Sequence, residues 1–348
     1  MKYKQLGTTD LKVSYICQGT MNFGEQNTGK DAHEQLDYAV SCGINFIDTA
    51  EIYPIPPCAE SQGKTETYIG TWLKKRGKRD DLIISSKAVG KTDLKYMRNG
   101  TSQFDRKNIR QAVEGSLKRL QTDYIDLYQL HWPDRDTNYF GKRGYVHNPK
   151  DNSVPIEETL EALQELIKEG KIRHIGLSNE TAWGVTEFLK LFGTKKLPKI
   201  QTLQNAYSLI MREYENALEE ICVRGNVSFI PYSPLSFGVL TGKYLGHKDF
   251  PKGSRFEYAK GRNAPRYNPP QAQPAIKEYV DLAKKHGLDP AQMAIAFVLS
   301  RDFVTSTIIG ATSMEQLKTD IDSMNVKLSD ELLNEIEDIH SRLPNPIT

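Results

Sequence analysis

Residues 31–48 read "DAHEQLDYAVSCGINFID", and the fold follows from how that run divides. Residues 31–43 read as a helix, with Asp31 as N-cap and Gly43 as its stop. "INFID" (44–48) follows at once as a short apolar strand. The same unit recurs on both sides. Ahead of it, "VSYICQG" (13–19) reads as a strand, preceded by a segment that could form a hairpin. Behind it come a helix over 64–77, again ended by Gly, the strand "LIISSK" (82–87), a helix over 104–121 capped by Asp105, and the strand "YIDLYQLH" (124–131). Helix 154–170 precedes "IRHIGLS" (172–178), and a helix near 181–192 precedes "KIQTLQ" (199–204). A helix near 212–224 leads to "VSFIPYS" (227–233). Two helices at 274–286 and 289–301 precede "TSTIIG" (305–310), with further helices from Ser313 and Ser329.

Eight strands, each followed by a helix, predict an α/β chain folded as a (β/α)8 TIM barrel, one domain over residues 1–348. The strands are apolar without strict alternation, as expected where both faces are covered. A doubly wound open sheet is the competing topology, but G-x-G-x-x-G after a strand is absent. The connections 54–63, 88–103, 132–153 and 234–272 are long. All follow strands, so a barrel gathers them on its C-terminal face, where long loops build binding sites.

The 348 residues are 38% hydrophobic and 26% charged, enough for a large core. A net charge of +2 is too small to indicate nucleic acid or an anionic membrane as partner. The basic stretch 72–79 falls at a helix end, where cations complement the helix dipole. Cys17, Cys42, Cys58 and Cys222 form no C-x-x-C pair. The three cysteines in apolar runs, Cys17, Cys42 and Cys222, are expected in the core and Cys58 in a loop, so no metal site is expected. No signal peptide or membrane-length apolar run is seen, and the expected compartment is a reducing cytoplasm. "GEQNTGKD" (24–31) nearly matches a phosphate-binding P-loop, but Asp31 stands where a hydroxyl should ligate magnesium. The stretch is read as a helix N-terminal loop.

Polar residues close several strands. Strand two ends in Asp48, with Tyr53 five residues on; strand three ends in Lys87, strand four in His131. In a barrel these converge. Tyrosine has a pKa near 10, too high for easy proton donation at neutrality, and a neighbouring ammonium lowers it. Asp48 can serve as counter-ion to a buried Lys87, and a neutral His131 can donate to a carbonyl oxygen. The set makes an acid and an oxyanion clamp but has no nucleophile, which a hydride-donating cofactor would supply.

"FIDTAEIYP", "IISSKAVG", "DLYQLHWPD", "HIGLSN", "QTLQNAYS" and "PYSPLSFGVLTGKY" resemble the aldo-keto reductases over nearly the whole chain. "YSPLSFGVLTGKY" and "IIGATSMEQL" resemble the branch holding the Tas-like bacterial reductases and the potassium-channel β-subunits. The resemblance implies a nicotinamide cofactor, NADP(H), over the barrel mouth and a small carbonyl substrate. It implies a catalytic tetrad of Asp48, Tyr53, Lys87 and His131, with Tyr53 as proton donor. Gly19, Thr20, Met21, Asp48, Ser178, Asn179 and Gln204 would meet the nicotinamide side, with Tyr232 stacked on the ring. Ser233, Pro234, Leu235, Gly238, Leu240, Gly242 and Lys243 would form the pyrophosphate loop. Gly310, Ala311, Thr312, Gln316 and Asp320 would meet the adenosine end, and Arg255 the 2′-phosphate. Ser313 and Gln316 also read as a capping box. Asp320 departs from the asparagine common in that branch. Met21 stands where other members carry tryptophan, which implies a wider pocket floor. Tyr53, His131 and Trp132 would line the substrate pocket, with Tyr96, Tyr139, Phe140, Tyr145 and Phe237 as candidate apolar wall. The alternative is a non-catalytic NADP(H)-binding sensor or partner subunit; the sequence does not decide the oligomeric state, and monomers are common in the superfamily it resembles.

Overall fold

The chain begins by folding back on itself. In the computed structural model, which describes residues 1–247 and 249–348, β1 (Tyr3–Gln5) and β2 (Lys12–Ser14) pair antiparallel. The run expected as one strand at 13–19 therefore splits, because Ser14 closes the hairpin and β3 (Ile16–Gly19) starts beyond it. From there helices and strands alternate: α1 (Gly29–Ser41), β4 (Phe46–Asp48), α2 (Lys64–Arg76), β5 (Ile83–Ala88), α3 (Arg106–Leu120), β6 (Ile125–Leu130), α4 (Ile156–Lys168), β7 (Ile172–Ser178), α5 (Ala182–Lys195) and β8 (Ile200–Gln204). Then follow α6 (Leu218–Gly225), β9 (Ser228–Phe229), the short α7 (Arg255–Tyr258) and α8 (Ala264–Tyr267), α9 (Gln273–Lys285), α10 (Pro290–Ser300), β10 (Thr307–Ile309), α11 (Met314–Asp322) and α12 (Asp330–Arg342).

Eight strands form one parallel sheet in the order β10-β3-β4-β5-β6-β7-β8-β9. The two end strands are joined as well: the Thr305 N–H donates to the Phe229 carbonyl at 2.8 Å and Ile308 N–H to that of Pro231 at 2.9 Å. The sheet is thus curled, consistent with the (β/α)8 arrangement that the alternation predicts. Among the described residues, no helix is long and apolar enough to cross a membrane.

Helix α1 starts at Gly29, earlier than its sequence suggests. Thr28, not Asp31, is its N-cap: the Asp31 backbone N–H donates to the Thr28 hydroxyl, and the Asp31 carboxylate accepts from the Thr28 N–H at 2.9 Å. Asp31 closes a capping box, which explains the acid at the end of "GEQNTGKD". Asp105 caps α3 as expected. The helix expected at 212–224 is a 3-10 turn (Glu213–Asn216) followed by α6, and β9 is shorter than 227–233. Cys17 and Cys222 are buried, but Cys42, at the end of α1, is only half-buried.

Successive strand residues face opposite sides, and that period of two builds the site. Phe46, Ile83 and Leu127 join Leu6, Leu11 and Val13 of the hairpin in an apolar cluster inside the sheet. Two residues further along, Asp48, Ser85 and Gln129 form a polar layer: Gln129 Nε2 donates to Ser85 Oγ at 2.7 Å and to Asp48 Oδ1 at 3.2 Å. Two residues further again come Lys87 and His131. The intervening Ile47, Ile84, Ala88, Tyr128 and Leu130 face outward into the helix-covered core. Gly176 permits this crowding, since a Cβ there would lie 2.0 Å from Thr202 Oγ1 and 3.2 Å from Gln129 Cγ.

Candidate active site

The ammonium of Lys87 is the hub of the site. It has no exposed surface, and its Nζ donates to Asp48 Oδ2 at 2.6 Å, to the Thr49 carbonyl at 2.7 Å and to Tyr53 Oη at 3.5 Å. Asp48 is 2% exposed, and its other oxygen accepts from Gln129 and, at 3.0 Å, from Gln204 Nε2. A buried ion pair is sustained only when its remaining hydrogen-bonding capacity is met, and here both carboxylate oxygens are engaged. The Tyr53 and His131 rings meet edge to face with centroids 5.7 Å apart. After β4 the chain turns through Thr49–Ile52, where the Tyr53 N–H donates to the Ala50 carbonyl at 3.1 Å. That turn aims the phenol back over Lys87.

Burial, the largest influence, pushes the Tyr53 phenol above its usual pKa, and the attraction of Lys87 does not fully offset it. The expected net acidification of Tyr53 by Lys87 is therefore corrected: in the free protein desolvation wins. For Lys87, burial pulls the pKa down, but Asp48 and Tyr53 outweigh it and hold the ammonium protonated. Burial, and then Lys87, push His131 well below the usual histidine value. At neutral pH the cluster therefore holds a protonated phenol, an ammonium and a neutral imidazole.

Residues of this cluster line a cavity of about 870 Å³. Tyr53, His131 and Trp132 line it, as do Gly19, Thr20, Met21, Asp48, Ser178, Asn179, Gln204 and Tyr232. Trp132 touches both His131, at 5.0 Å between centroids, and Phe140, at 5.7 Å. Asn179 ties the wall together: its Nδ2 donates to the His131 carbonyl at 2.9 Å, and its Oδ1 accepts from Tyr232 Oη at 2.6 Å. Ser233, Pro234, Leu235, Gly238 and Lys243 continue the lining, followed by Arg255, Gly310, Thr312, Gln316 and Asp320. Leu240, Gly242 and Ala311 do not reach it. Leu240 and Ala311 are packed in apolar clusters. Gly242 has φ +81°, so its role is to turn the chain. Of the candidate aromatic wall, Phe140 and Phe237 line the cavity; Tyr96 and Tyr139 pack behind it, and Tyr145 is exposed.

Lys243 and Arg255, which line the same cavity, have no carboxylate within 4 Å among the described residues. Arg255 Nη2 is buried without a hydrogen-bond partner, and burial pulls this guanidinium down to about 10. Burial and the neighbouring Arg255 likewise lower Lys243, against the pull of Asp320. Two uncompensated, half-buried cations facing one cavity are a donor set suited to a phosphorylated ligand. Gln316 does not complete a capping box with Ser313. Ser313 Oγ caps α11 by accepting from Gln316 N–H, while Gln316 Oε1 accepts from Thr312 N–H and hydroxyl, both at 3.0 Å. A cavity of about 870 Å³ lined by both these cations and the acid cluster fits a nicotinamide dinucleotide.

Sequence reasoning missed two groups that hold the mouth in place. Glu51, 3% exposed, accepts from Val89 N–H and binds Arg98 through both oxygens at 2.6 and 2.9 Å. Asp134 accepts from Lys91 N–H and Phe104 N–H at 2.7 and 2.9 Å, pinning the 88–103 loop to the 132–153 loop. Arg262 and Arg266 also line the cavity. The acid within "TAEIYP" was the one available signal. By contrast Arg135 and Arg143 are paired with Glu180 and Glu213, and Lys142 lies over Tyr139.

Comparison with known proteins agrees with this geometry. A model of the aldo/keto reductase family matches residues 15–341. The protein Tas of Escherichia coli K12 is 52% identical over 342 residues, covering 98% of each chain. The oxidoreductase YrpG of Bacillus subtilis is 32% identical, covering 97% of this chain and 96% of its own. A norsolorinic acid reductase of Emericella nidulans is 28% identical, covering 94% and 78%.

Proposed function

Because the chain belongs to the aldo/keto reductase family and is a nicotinamide-dependent oxidoreductase, we propose that it reduces an aldehyde or ketone to an alcohol with NADPH, residues 1–348 acting as one barrel domain. What carries the reading is one cavity lined both by residues of the Asp48–Lys87–Tyr53–His131 cluster and by the unpaired cations Lys243 and Arg255. Reduced nicotinamide, when bound, supplies the hydride.

The rest is done by side chains of the chain. Tyr232 offers a flat face, its hydroxyl anchored on Asn179. Ser178, Asn179 and Gln204 offer amide and hydroxyl groups for orienting a carboxamide. Arg255 and Lys243 would hold the 2′-phosphate and pyrophosphate, which favours NADP over NAD. His131, neutral and buried, donates one N–H to the substrate oxygen. Tyr53 keeps its proton at neutral pH and passes it from Oη to that oxygen as negative charge develops there. The phenolate left behind lies beside the Lys87 ammonium, which Asp48 holds in position. Trp132 and Met21 wall the substrate side, and the substrate is a small carbonyl compound.

Replacement Tyr53→Phe tests the assignment. Removing a positioned general acid costs about 10²–10⁴-fold in rate. NADPH oxidation with an aldehyde panel should fall by that factor, while quenching of intrinsic fluorescence shows NADPH still bound. Turnover retained in the variant would remove Tyr53 from the role of proton donor.

A further inference from the structure

The turn from Asp48 to Tyr53 holds a second acid, Glu51, which is buried and does not line the cavity. Its side chain binds Arg98 through both oxygens, and one of them also accepts from Val89 N–H at 2.7 Å. Its backbone is tied to the same strand end. The Glu51 N–H donates to the Lys87 carbonyl at 3.2 Å, and the Glu51 carbonyl accepts from Gln62 Nε2. Glu51 therefore fastens the turn that carries Tyr53 to the stretch of chain that carries Lys87. That matters because Tyr53 Oη and Lys87 Nζ stand 3.5 Å apart. This is long for a hydrogen bond, so a small outward shift of the turn breaks it.

The 88–103 loop bends against its preference to reach Glu51. Arg98 has φ +49° and Asn99 φ +60°, the left-handed region that side chains other than glycine seldom adopt. Such backbone persists where surrounding contacts over-determine it, and it clusters at functional sites. Here the contacts come from Arg98 itself, which also donates to Ser102 Oγ at 2.8 Å. The preceding Met97 packs in one apolar cluster with Ala50, Ile52, Tyr53 and Trp132. The loop thus grips the turn twice, by an ion pair at Glu51 and by packing around Tyr53. We propose that the Glu51–Arg98 pair is a positioning clamp for the proton donor, holding the turn against β5 so that Tyr53 Oη stays over Lys87. The role rests on the reductase reading of Tyr53. Glu51 is a positioning residue, because it acts through the turn and touches no reacting atom.

The test compares Glu51→Gln, Arg98→Met and the double variant. Each single change strands a buried charge and should lower the urea midpoint. The double variant strands none, keeps an acceptor for Val89 N–H, and should regain the wild-type midpoint. Its dissociation constant for NADPH, read from fluorescence quenching, should equal that of the wild type. Its single-turnover rate of NADPH oxidation with saturating aldehyde should stay about ten- to a hundredfold low, the loss expected for a misplaced reacting group. A double variant with the wild-type rate would make the pair merely structural and overturn the clamp. So would a rate loss matched by an equal loss of NADPH affinity. If the double variant does not fold, Arg98→Lys decides, since it keeps the charge and loses the two-pronged contact; a severalfold slower turnover at unchanged NADPH affinity is expected, and a wild-type rate would overturn the clamp. A wild type that oxidises no NADPH with any aldehyde would overturn the reductase reading and this role with it. A wild type silenced by Tyr53→Phe, beside a double variant of undiminished rate, would overturn the clamp alone.

Discussion

Replacing Lys87 by Met separates charge from shape at the centre of the site. The methionine fills the space of the lysine stem, but Asp48 loses the ammonium at 2.6 Å while keeping Gln129 and Gln204 as donors. Breaking a buried pair by removing one partner costs about 3–5 kcal/mol. The protein can instead protonate the acid, and neutralising an ordinary aspartate at pH 7 costs about 4 kcal/mol. The expected loss in Lys87→Met is therefore about 3–4 kcal/mol near neutrality. The sign of its pH dependence follows. An unpaired buried carboxylate takes up a proton on folding, so the folded variant binds more protons than the unfolded one and regains stability as pH falls. Urea unfolding followed by far-UV ellipticity should show the deficit against wild type narrowing between about pH 7 and about pH 5. The double variant Asp48→Asn/Lys87→Met leaves no charge unpaired, and its amide oxygen still accepts from Gln129 and Gln204. It should recover most of the stability at neutral pH without recovering turnover. A double variant as unstable as Lys87→Met would refute the reasoning, because the cost would then lie in lost packing and not in the stranded carboxylate.

Arg255→Met should weaken NADPH about ten- to a hundredfold while leaving NADH unchanged, as expected for one charge-assisted contact to the 2′-phosphate; equal losses for both cofactors in a fluorescence titration would contradict the assignment. Gly70→Ala should cost about 1–3 kcal/mol in urea unfolding. A Cβ there would lie 2.1 Å from the Arg119 carbonyl oxygen, where α2 crosses α3. An unchanged midpoint would show that the two helices separate without cost.

Several features were legible in the residues alone because they depend on local rules. Glycines and capping side chains punctuate the helices, and short apolar runs mark the strands, so the βα repeat could be counted. The end of each strand carries its polar group in plain order, so Asp48, Lys87 and His131 were identifiable before their contacts were known. Where local rules compete, the reading slipped. Asp31 and Thr28 both suit a helix start, and only backbone conformation decides that Thr28 is extended and Asp31 already inside the first turn.

Other features depend on distance in space and not on position along the chain. That Phe46, Ile83 and Leu127 form a dry floor, with Asp48, Ser85 and Gln129 one layer above, requires the register of three neighbouring strands. The net rise of the Tyr53 pKa is set by burial against Lys87, and burial has no sequence signature. The Glu51–Arg98 pair joins residues 47 positions apart. The sequence by itself determined which chemical groups stand at the strand ends, because strand and helix periods are local. Only the tertiary structure decided which charges are paired and which are left facing the cavity, because desolvation and Coulomb energy depend on separations that the closing of the sheet creates.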